Sequence, residues 1–518
     1  MSQVALQLGI VVGYLLLALG VGLLAYRLTD RTAEDFYLAS RTFGTVVLLF
    51  TTFATLLSAF TFFGGPNLAY ASGPEWILVM GVMDGILFAI LWYVIGYKQW
   101  LIGKRRGYVT LPEMLGDRFG SSALRGLVAV ISLFWLFPYV MLQQMGAGTA
   151  LAGLTGGSLP YWAGAALVTA FMIVYVVLAG MRGIAWTDTI QGAFMLLATW
   201  AAALWVLDAV GGAGAATAAV AESNPEFLSL GGGVYSPAWM ISQAVSIAFG
   251  VAMFPQVNQR FFTAGSKKVF KRTFALWPIL VVLLFVPAFL LGTWAAGLGV
   301  EVPAGENVLP ILLNEYAPGW FAALVIAGAM AAMMSSSDSM LLSGSSYFTR
   351  DLYRPFVSPD ASERREDLLG RIGVVAFATA SFVASLYRPG GLVQIGSTAF
   401  GGFAQLALPV LVALYWRRTT RAGMLAGVLG SQLVYAPWVL LSTRTLSEAL
   451  AALPLVGEAL AGVLPTAVAE FSLFAGAYFG WGISLYCMLL GLILTVGVSA
   501  LTVADGERAV AFDVAGAD

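Results

Sequence analysis

Ala331-Ala-Met-Met-Ser-Ser-Ser-Asp-Ser-Met-Leu-Leu342 puts four serines and an aspartate inside a segment apolar enough to cross a bilayer. An ionisable group at membrane depth costs several kcal/mol unless a partner or an ion compensates it, so such groups mark ion or substrate pathways. Hydroxyls and carboxylates are hard oxygen ligands, suited to a hard cation rather than a transition metal. The combination points to a membrane protein whose work is coupled to a cation.

The rest of the chain agrees with a membrane setting. Of 518 residues, 59% are hydrophobic and 10% charged, with mean hydropathy +0.86, far from soluble averages. A span needs about 20 apolar residues, and the sequence predicts an all-α polytopic membrane protein with 13 transmembrane helices. They fall near 4–26, 44–70, 76–97, 126–154, 161–181, 187–210, 239–262, 274–298, 320–347, 370–387, 394–416, 423–441 and 478–503. The first is too long for a signal-peptide core and has no small-residue cleavage site after it, so it reads as a span. The single Cys487 excludes an intrachain disulfide, and the absence of histidine excludes histidine proton relays and metal sites.

The net charge of −1 hides a strong asymmetry: with the N-terminus outside, 24 of the 26 Lys and Arg fall on inner junctions, leaving Arg388 and Arg444 outside. The positive-inside rule then gives an outside N-terminus and a cytoplasmic C-terminus. Basic inner loops suit anionic lipid headgroups, not nucleic acid. The outer loops carry Glu75, Glu222, Glu226, Glu301, Glu306 and Glu315. Between spans there is little room for a second domain. The inner stretch 355–369 reads as a short solvated loop, 445–476 as a helix lying on the membrane surface, and the tail after residue 504 as short and acidic. The whole of 1–518 reads as one domain, and nothing calls for an obligate protein partner. A membrane enzyme lacks a nucleophile with a base, and a sensor lacks a signalling domain. A channel is separated from a carrier by countertransport.

Two spans look broken. The second runs Thr51-Thr-Phe-Ala-Thr-Leu-Leu-Ser-Ala-Phe-Thr-Phe-Phe-Gly-Gly-Pro66, polar midway and ending on a Gly-Gly-Pro stop. The seventh runs Ser246-Ile-Ala-Phe-Gly-Val-Ala-Met-Phe-Pro-Gln256, with Gly250 and Pro255 inside it. Glycine and proline both weaken helix continuity, and matched interruptions in two halves point to the binding site of an inverted-repeat transporter. Unwound backbone frees carbonyls that a cation can use.

Four stretches together resemble the sodium:solute symporter family. They are Ser58 to Tyr70, with its Phe-Phe-Gly-Gly-Pro66; Gly107-Tyr-Val-Thr-Leu-Pro-Glu-Met-Leu-Gly-Asp-Arg-Phe-Gly120; Ala179-Gly-Met-Arg-Gly-Ile-Ala-Trp-Thr-Asp-Thr-Ile-Gln191; and Ala331 to Leu342 continued by Tyr347-Phe-Thr-Arg-Asp-Leu-Tyr353. The chain departs from the family pattern at Ala179, where glycine is usual, and at Gln256, where many members have histidine. The resemblance implies the leucine-transporter fold: inverted repeats at 44–210 and 239–416, a first helix at 4–26, two peripheral helices within 423–503 and a cytoplasmic tail at 504–518. It implies a multi-pass protein of the plasma membrane that takes up a small organic solute with Na+.

By that resemblance the main sodium site takes the carbonyls of Ala54, Leu57 and Ala332 and the hydroxyls of Ser335 and Ser336. Residues 332, 335 and 336 stand at i, i+3 and i+4, one face of a helix. For Asp188, Asp338 and Ser339 two readings stand: a second cation site of the kind some family members hold, or acids paired with Arg182 or Arg260. Asp84, midway along span 3, is another buried acid that reads equally as packing or pocket lining. Candidate substrate contacts are Thr55, Ser58, Phe60, Thr61, Gln143, Gln144, Phe249, Met253 and Gln405, near the midplane. Span 8 lacks charge and span 3 lacks glutamate, which argues against a sugar. The expected substrate is a small carboxylate: a monocarboxylate, pantothenate or an amino acid.

Overall fold

A computed structural model describes residues 3–26, 37–232, 234–442, 481–504 and 512. The expected surface helix at 445–476 lies outside the described residues, as do residues 478–480 of the last expected span. Among the described residues there is no strand, only an isolated bridge between Phe43 and Ala264. Eleven helices are long and apolar enough to cross a membrane, and two bent pairs bring the number of candidate spans up to 13.

In chain order these are α1 (Gln3–Tyr26), the pair α2a (Thr45–Leu56) and α2b (Phe60–Ser72), α3 (Leu78–Arg106), α4 (Ser122–Leu154), α5 (Tyr161–Leu178) and α6 (Met181–Val210). There follow the pair α7a (Pro237–Ala252) and α7b (Pro255–Thr263), α8 (Lys267–Gly297), α9 (Gly319–Phe356) and α10 (Arg364–Ser385). The last three are α11 (Leu392–Tyr415), α12 (Arg421–Val439) and α13 (Ile483–Leu501). Helices α3 and α9 run about nine residues past their expected ends, because helical backbone continues after the apolar run stops and carries its basic groups out to the headgroups. The helical backbone also runs through the α5–α6 join. Even so, the hydroxyls of Tyr175 and Thr187, twelve residues apart, hydrogen-bond to each other. A straight helix would hold those positions about 18 Å apart, so the chain bends sharply there.

Burial ranks the helices. In the most apolar window of α9, 83% of residues are buried, against 22% in α1. Helix α9 is therefore the central post, and its small residues let neighbours approach closely.

Both expected interruptions are present, bent by 60° and 57°, but the first lies before the Gly-Gly-Pro stretch and not at it. Helix α2a stops at Leu56, and Leu57 is extended with φ −82° and ψ 128°. The chain resumes as a π turn over Phe60–Gly64 and runs on as α-helix to Ser72, so Gly64-Gly65-Pro66 lies inside α2b instead of ending it. Pro66 stands in the first turn after the π segment, where its missing N–H is tolerated. Gly65 is required by packing: a Cβ there would lie 2.0 Å from the Phe289 ring. In the other pair the break is at Met253–Phe254, and Pro255 opens α7b in the position proline favours at a helix start.

Gly250 likewise serves close approach and not flexibility, since a Cβ there would lie 2.2 Å from the Phe400 carbonyl oxygen of α11. Backbone cannot swing aside as a side chain can. Gly250→Ala should therefore lower the thermal midpoint in detergent, overpacking costing about 1–3 kcal/mol against a helix-propensity gain of about 1 kcal/mol. An unchanged or raised midpoint would contradict this packing argument.

The basic residues gather at one end of the bundle. Arg41 donates to the Tyr108 carbonyl at 2.8 Å and the Phe262 carbonyl at 3.3 Å. Arg125 pairs with Asp351 at 2.7 Å, and Arg350 reaches Glu113 at 3.5 Å. This joins two of the sequence motifs: Glu113 belongs to a capping box in which Thr110 accepts from the Glu113 N–H and Glu113 accepts from the Val109 N–H. Phe512 stacks on Tyr108 at the same end. Arg260, counted among these basic residues from sequence, is not at the surface but fully buried inside the bundle.

Candidate ion-coupling site

The site begins with backbone donors diverted at the α2 break. The Ala59 N–H donates to Gln143 Oε1 at 2.9 Å and the Phe60 N–H to Ser58 Oγ at 3.2 Å. The Thr61 N–H bonds to the Ser58 carbonyl at 2.9 Å. The carbonyls of Thr55 and Leu57 thus lose the i+4 amides that would have satisfied them in a continuous helix.

Helix α9 meets those carbonyls. Ser336 Oγ lies 2.8 Å from the Thr55 oxygen and 2.6 Å from the Leu57 oxygen. One hydroxyl carries one proton, so it cannot donate fully to both, and three oxygens converge with too few hydrogens between them. A cation relieves that shortage. Ser335 Oγ donates to Asp188 Oδ1 at 2.5 Å. With its proton held there, its remaining lone pairs are available as a ligand. Of the expected sodium set, the structure brings Leu57 and Ser336 into contact, while the Ser335 hydroxyl is turned to Asp188. Alongside Leu57, the carbonyl that Ser336 contacts is that of Thr55, the neighbour of Ala54.

One helical turn further along α9 lies a second cluster. Asp188 Oδ2 accepts from Thr51 Oγ1 at 2.5 Å, from Arg260 Nη2 at 2.9 Å and more weakly from Thr55 Oγ1 at 3.4 Å. Arg260 Nη2 also reaches Ser339 Oγ at 2.7 Å and Thr51 Oγ1 at 3.0 Å, and its Nη1 donates to the Gln256 carbonyl at 3.1 Å. Thr55 Oγ1 and Ser339 Oγ are 2.8 Å apart. Asp188 and Arg260 form an ion pair with side chains 1% and 0% exposed, so it is paid for by hydrogen bonds to nearly every charged atom, as buried pairs require. Asp338 makes none of these hydrogen bonds, and its buried Oδ1 has no hydrogen-bond partner among the described residues. Of the readings left open by sequence, the pairing of Asp188 with Arg260 is the one the geometry displays.

The expected substrate contacts divide. Ser58 Oγ lies 3.0 Å from the Tyr139 hydroxyl, and Gln143 braces the α2 break while donating to the Tyr139 carbonyl at 3.1 Å. Phe60 packs edge-on to Phe400 at 5.2 Å and tilted to Trp76 at 6.2 Å. Tyr139, Phe254 and Phe403 extend this aromatic cluster to the α7 break. Thr61 and Met253 are buried at the two breaks, and Phe249 is partly buried one turn before the second. Two residues face elsewhere: Gln144 donates to the Ala378 carbonyl of α10, and Gln405 to Ser484 of α13. Sequence reasoning passed over Tyr139, Trp76, Phe254 and Phe400, which are apolar or aromatic groups on helices full of such groups and carry no distinguishing signal. Trp76 Nε1 and both amide atoms of Gln256 are buried without hydrogen-bond partners among the described residues. Asp84 Oδ1 is likewise unpartnered.

With this geometry in view, comparison with known proteins gives one answer. The model of the sodium:solute symporter family matches residues 36–430. The sodium/pantothenate symporter of Escherichia coli (strain K12) is 28% identical over 432 residues, 82% of this chain and 89% of that protein. The sodium/proline symporter of Haemophilus influenzae is 29% identical over 453 residues, 81% of this chain and 85% of that protein. Among solved structures, a Na+-coupled sialic acid symporter, substrate-bound and outward-open, superposes with TM-score 0.72 at 19% identity, covering 96% of this chain and 98% of its own. A nucleobase-cation-symport-1 family transporter in a closed conformation gives TM-score 0.53 at 16% identity, over 93% and 99%. These two show a shared fold. The family match, running from residue 36 to residue 430 and so over most of the length, places this chain in the sodium:solute symporter family.

Proposed function

We propose that this chain is a sodium-coupled symporter that imports a small carboxylate such as pantothenate, an amino acid or a monocarboxylate. The observation that carries the reading is the Ser336 hydroxyl set against the Thr55 and Leu57 carbonyls at the α2 break. Sodium held there ties α2 to α9, completing the pocket between the breaks. The loaded carrier then rocks its two halves, 44–210 and 239–416, toward the cytoplasm, where the ion leaves into low sodium. On this reading 13 spans cross the plasma membrane, each bent pair counting as one, with α1 leading in from an outside N-terminus and the C-terminus inside. That orientation rests on the positive-inside rule and on the gathering of basic residues at one end. It is a transporter, not an enzyme, with the bilayer and one small solute as its partners.

The carboxylate preference rests on donors. Trp76 Nε1 and Gln256 Nε2 are buried N–H groups with no protein acceptor among the described residues, and Arg260 is already engaged by Asp188. Orphaned buried donors are expensive, and an anion's oxygens satisfy them.

The test is uptake into proteoliposomes of radiolabelled pantothenate, proline, pyruvate and glucose, each with an inward sodium or potassium gradient. One sodium moving with a monoanionic carboxylate carries no net charge, so the sodium concentration gradient is the drive, and a tenfold gradient (about 1.4 kcal/mol) supports about tenfold accumulation. One of the first three compounds should accumulate with sodium alone. Sodium-independent equilibration, or accumulation of glucose only, would overturn the reading.

A further inference from the structure

We propose that the groove between α3 and α8 binds one anionic phospholipid, with a chain lying against the two helices and the phosphate held by Lys98 and Lys271. Both lysines stand outside the ion-coupling site, so this binding is independent of which ion and solute are carried. The groove measures about 390 Å3. Ile86, Ile90 and Tyr93 line it from α3, and Phe274, Ala275 and Pro278 from α8. The three α3 residues stand at i, i+4 and i+7, one face of a helix, and each is about half exposed. On a span that face meets lipid chains. Apolar walls alone accept any chain, since lipid tails are as apolar as the side chains beside them.

Selection comes from the basic end. Tyr97 stacks on Tyr93 at 5.8 Å and packs against Phe270 at 5.7 Å, so an aromatic wall continues from the groove toward the headgroups. Two ammonium groups flank that wall. Lys271 Nζ lies 5.8 Å from the centre of the Tyr97 ring. Lys98 Nζ lies 4.1 Å from that of Tyr415, whose hydroxyl donates to the Val94 carbonyl of α3 at 2.6 Å. A ring face positions an ammonium group without neutralising it. Among the described residues no carboxylate forms an ion pair with Lys98, Lys271 or Arg272.

The surrounding charge has one sign. Helix α8 opens with Lys267, Lys268, Lys271 and Arg272 and carries no acid along its length. The one acid of α3, Asp84, stands about 21 Å from Lys98 along the axis, and Arg417 adds like charge beside Lys98. Uncompensated cations at the edge of the hydrocarbon favour an anionic headgroup over a zwitterionic one. The apolar groove between α4, α9 and α10, about 430 Å3, differs on this point. At the basic end of α9 and α10 the arginines are answered by acids, Arg354 by Glu366 at 3.4 Å and Arg371 by Asp367 at 3.0 Å. A lipid in the α3–α8 groove therefore supplies the counter-charge that the protein itself omits there.

The experiment is native mass spectrometry of the purified protein in neutral detergent, mixed with equal amounts of phosphatidylglycerol and phosphatidylcholine bearing the same chains. Wild type should retain one phosphatidylglycerol per chain in clear preference to phosphatidylcholine. Lys98→Gln together with Lys271→Gln should cut that preference about 30-fold, about fivefold for each lysine. Arg364→Gln with Arg365→Gln, at the start of α10, should leave it unchanged. Ala275→Trp fills the groove while keeping both lysines and should expel the lipid, whereas sn-glycerol 3-phosphate, a headgroup without chains, should not compete. Equal retention of the two lipids by wild type overturns the proposal, as does an undiminished preference in the lysine pair. An equal loss in the arginine pair overturns it by revealing a diffuse basic surface, and competition by glycerol phosphate by revealing a soluble-phosphate site. Should the lysine pair fail to stay monodisperse, Ala275→Trp decides, and full lipid retention in that variant overturns the proposal.

Discussion

Ser335→Ala together with Ser336→Ala is expected to abolish sodium-driven uptake while leaving a folded, monodisperse protein. The Ser336 hydroxyl is the group that faces both freed carbonyls of the α2 break, and Ser335 stands one residue before it with its proton held by Asp188. Interactions with a charged partner contribute about 1.5–3 kcal/mol each. Losing two therefore lowers sodium affinity by on the order of 10²–10⁴-fold, beyond ordinary external sodium. Folding should survive because alanine suits both the helix and the close packing around α9. The measurement is 22Na+ binding and sodium-gradient uptake side by side. Sodium-dependent accumulation at the wild-type level in the double variant would remove the central claim about this site.

Asp188→Ala should produce the largest loss of stability of any single change at the site. It leaves Arg260 fully buried with its carboxylate gone, and breaking a buried ion pair from one side costs about 3–5 kcal/mol. The thermal midpoint in detergent should fall by several degrees, and added sodium should not restore it, since the cluster would then hold only the positive partner. Asp188→Ala with Arg260→Met should recover much of the loss, because an apolar pair of similar volume is often as stable as the ion pair it replaces. A single variant as stable as wild type would mean that the guanidinium finds compensation elsewhere.

These two results address different layers of one device. Backbone carbonyls at a helix break supply ligands without charge, and α9 supplies hydroxyls at the spacing of a single helix face. The ion pair beneath holds those hydroxyls in orientation. Uptake thus depends on the first layer, and the integrity of the bundle on the second.

Much of this was legible before any coordinates. The serine run on an apolar span, the i, i+3, i+4 spacing of 332, 335 and 336 and the paired interruptions follow from helical periodicity and the cost of polar groups in lipid. So does the segregation of basic residues to one end, because charge placement along a polytopic chain obeys the membrane and not the packing. The reading went astray where the same residue serves two purposes. Gly250 and Gly65 looked like parts of breaks, yet their role is to admit Phe400 and Phe289. Helix continuity there is set by neighbours that sequence does not place alongside.

The chain alone determined that it crosses a membrane repeatedly, that two helices are interrupted, and that α9 carries oxygen ligands at its centre, because each follows from local periodicity and solvation. Only the tertiary structure decided which atoms meet. Whether the Thr55 carbonyl faces Ser336 depends on the extended backbone at Leu57, and whether Gln144 faces the pocket or Ala378 depends on how α4 is rotated against α10. The partnership of Arg260 with Asp188, 72 residues apart, required α6 and α7b to converge on α9. Such pairings are decided by the packing of whole helices, a property that no local stretch of sequence contains.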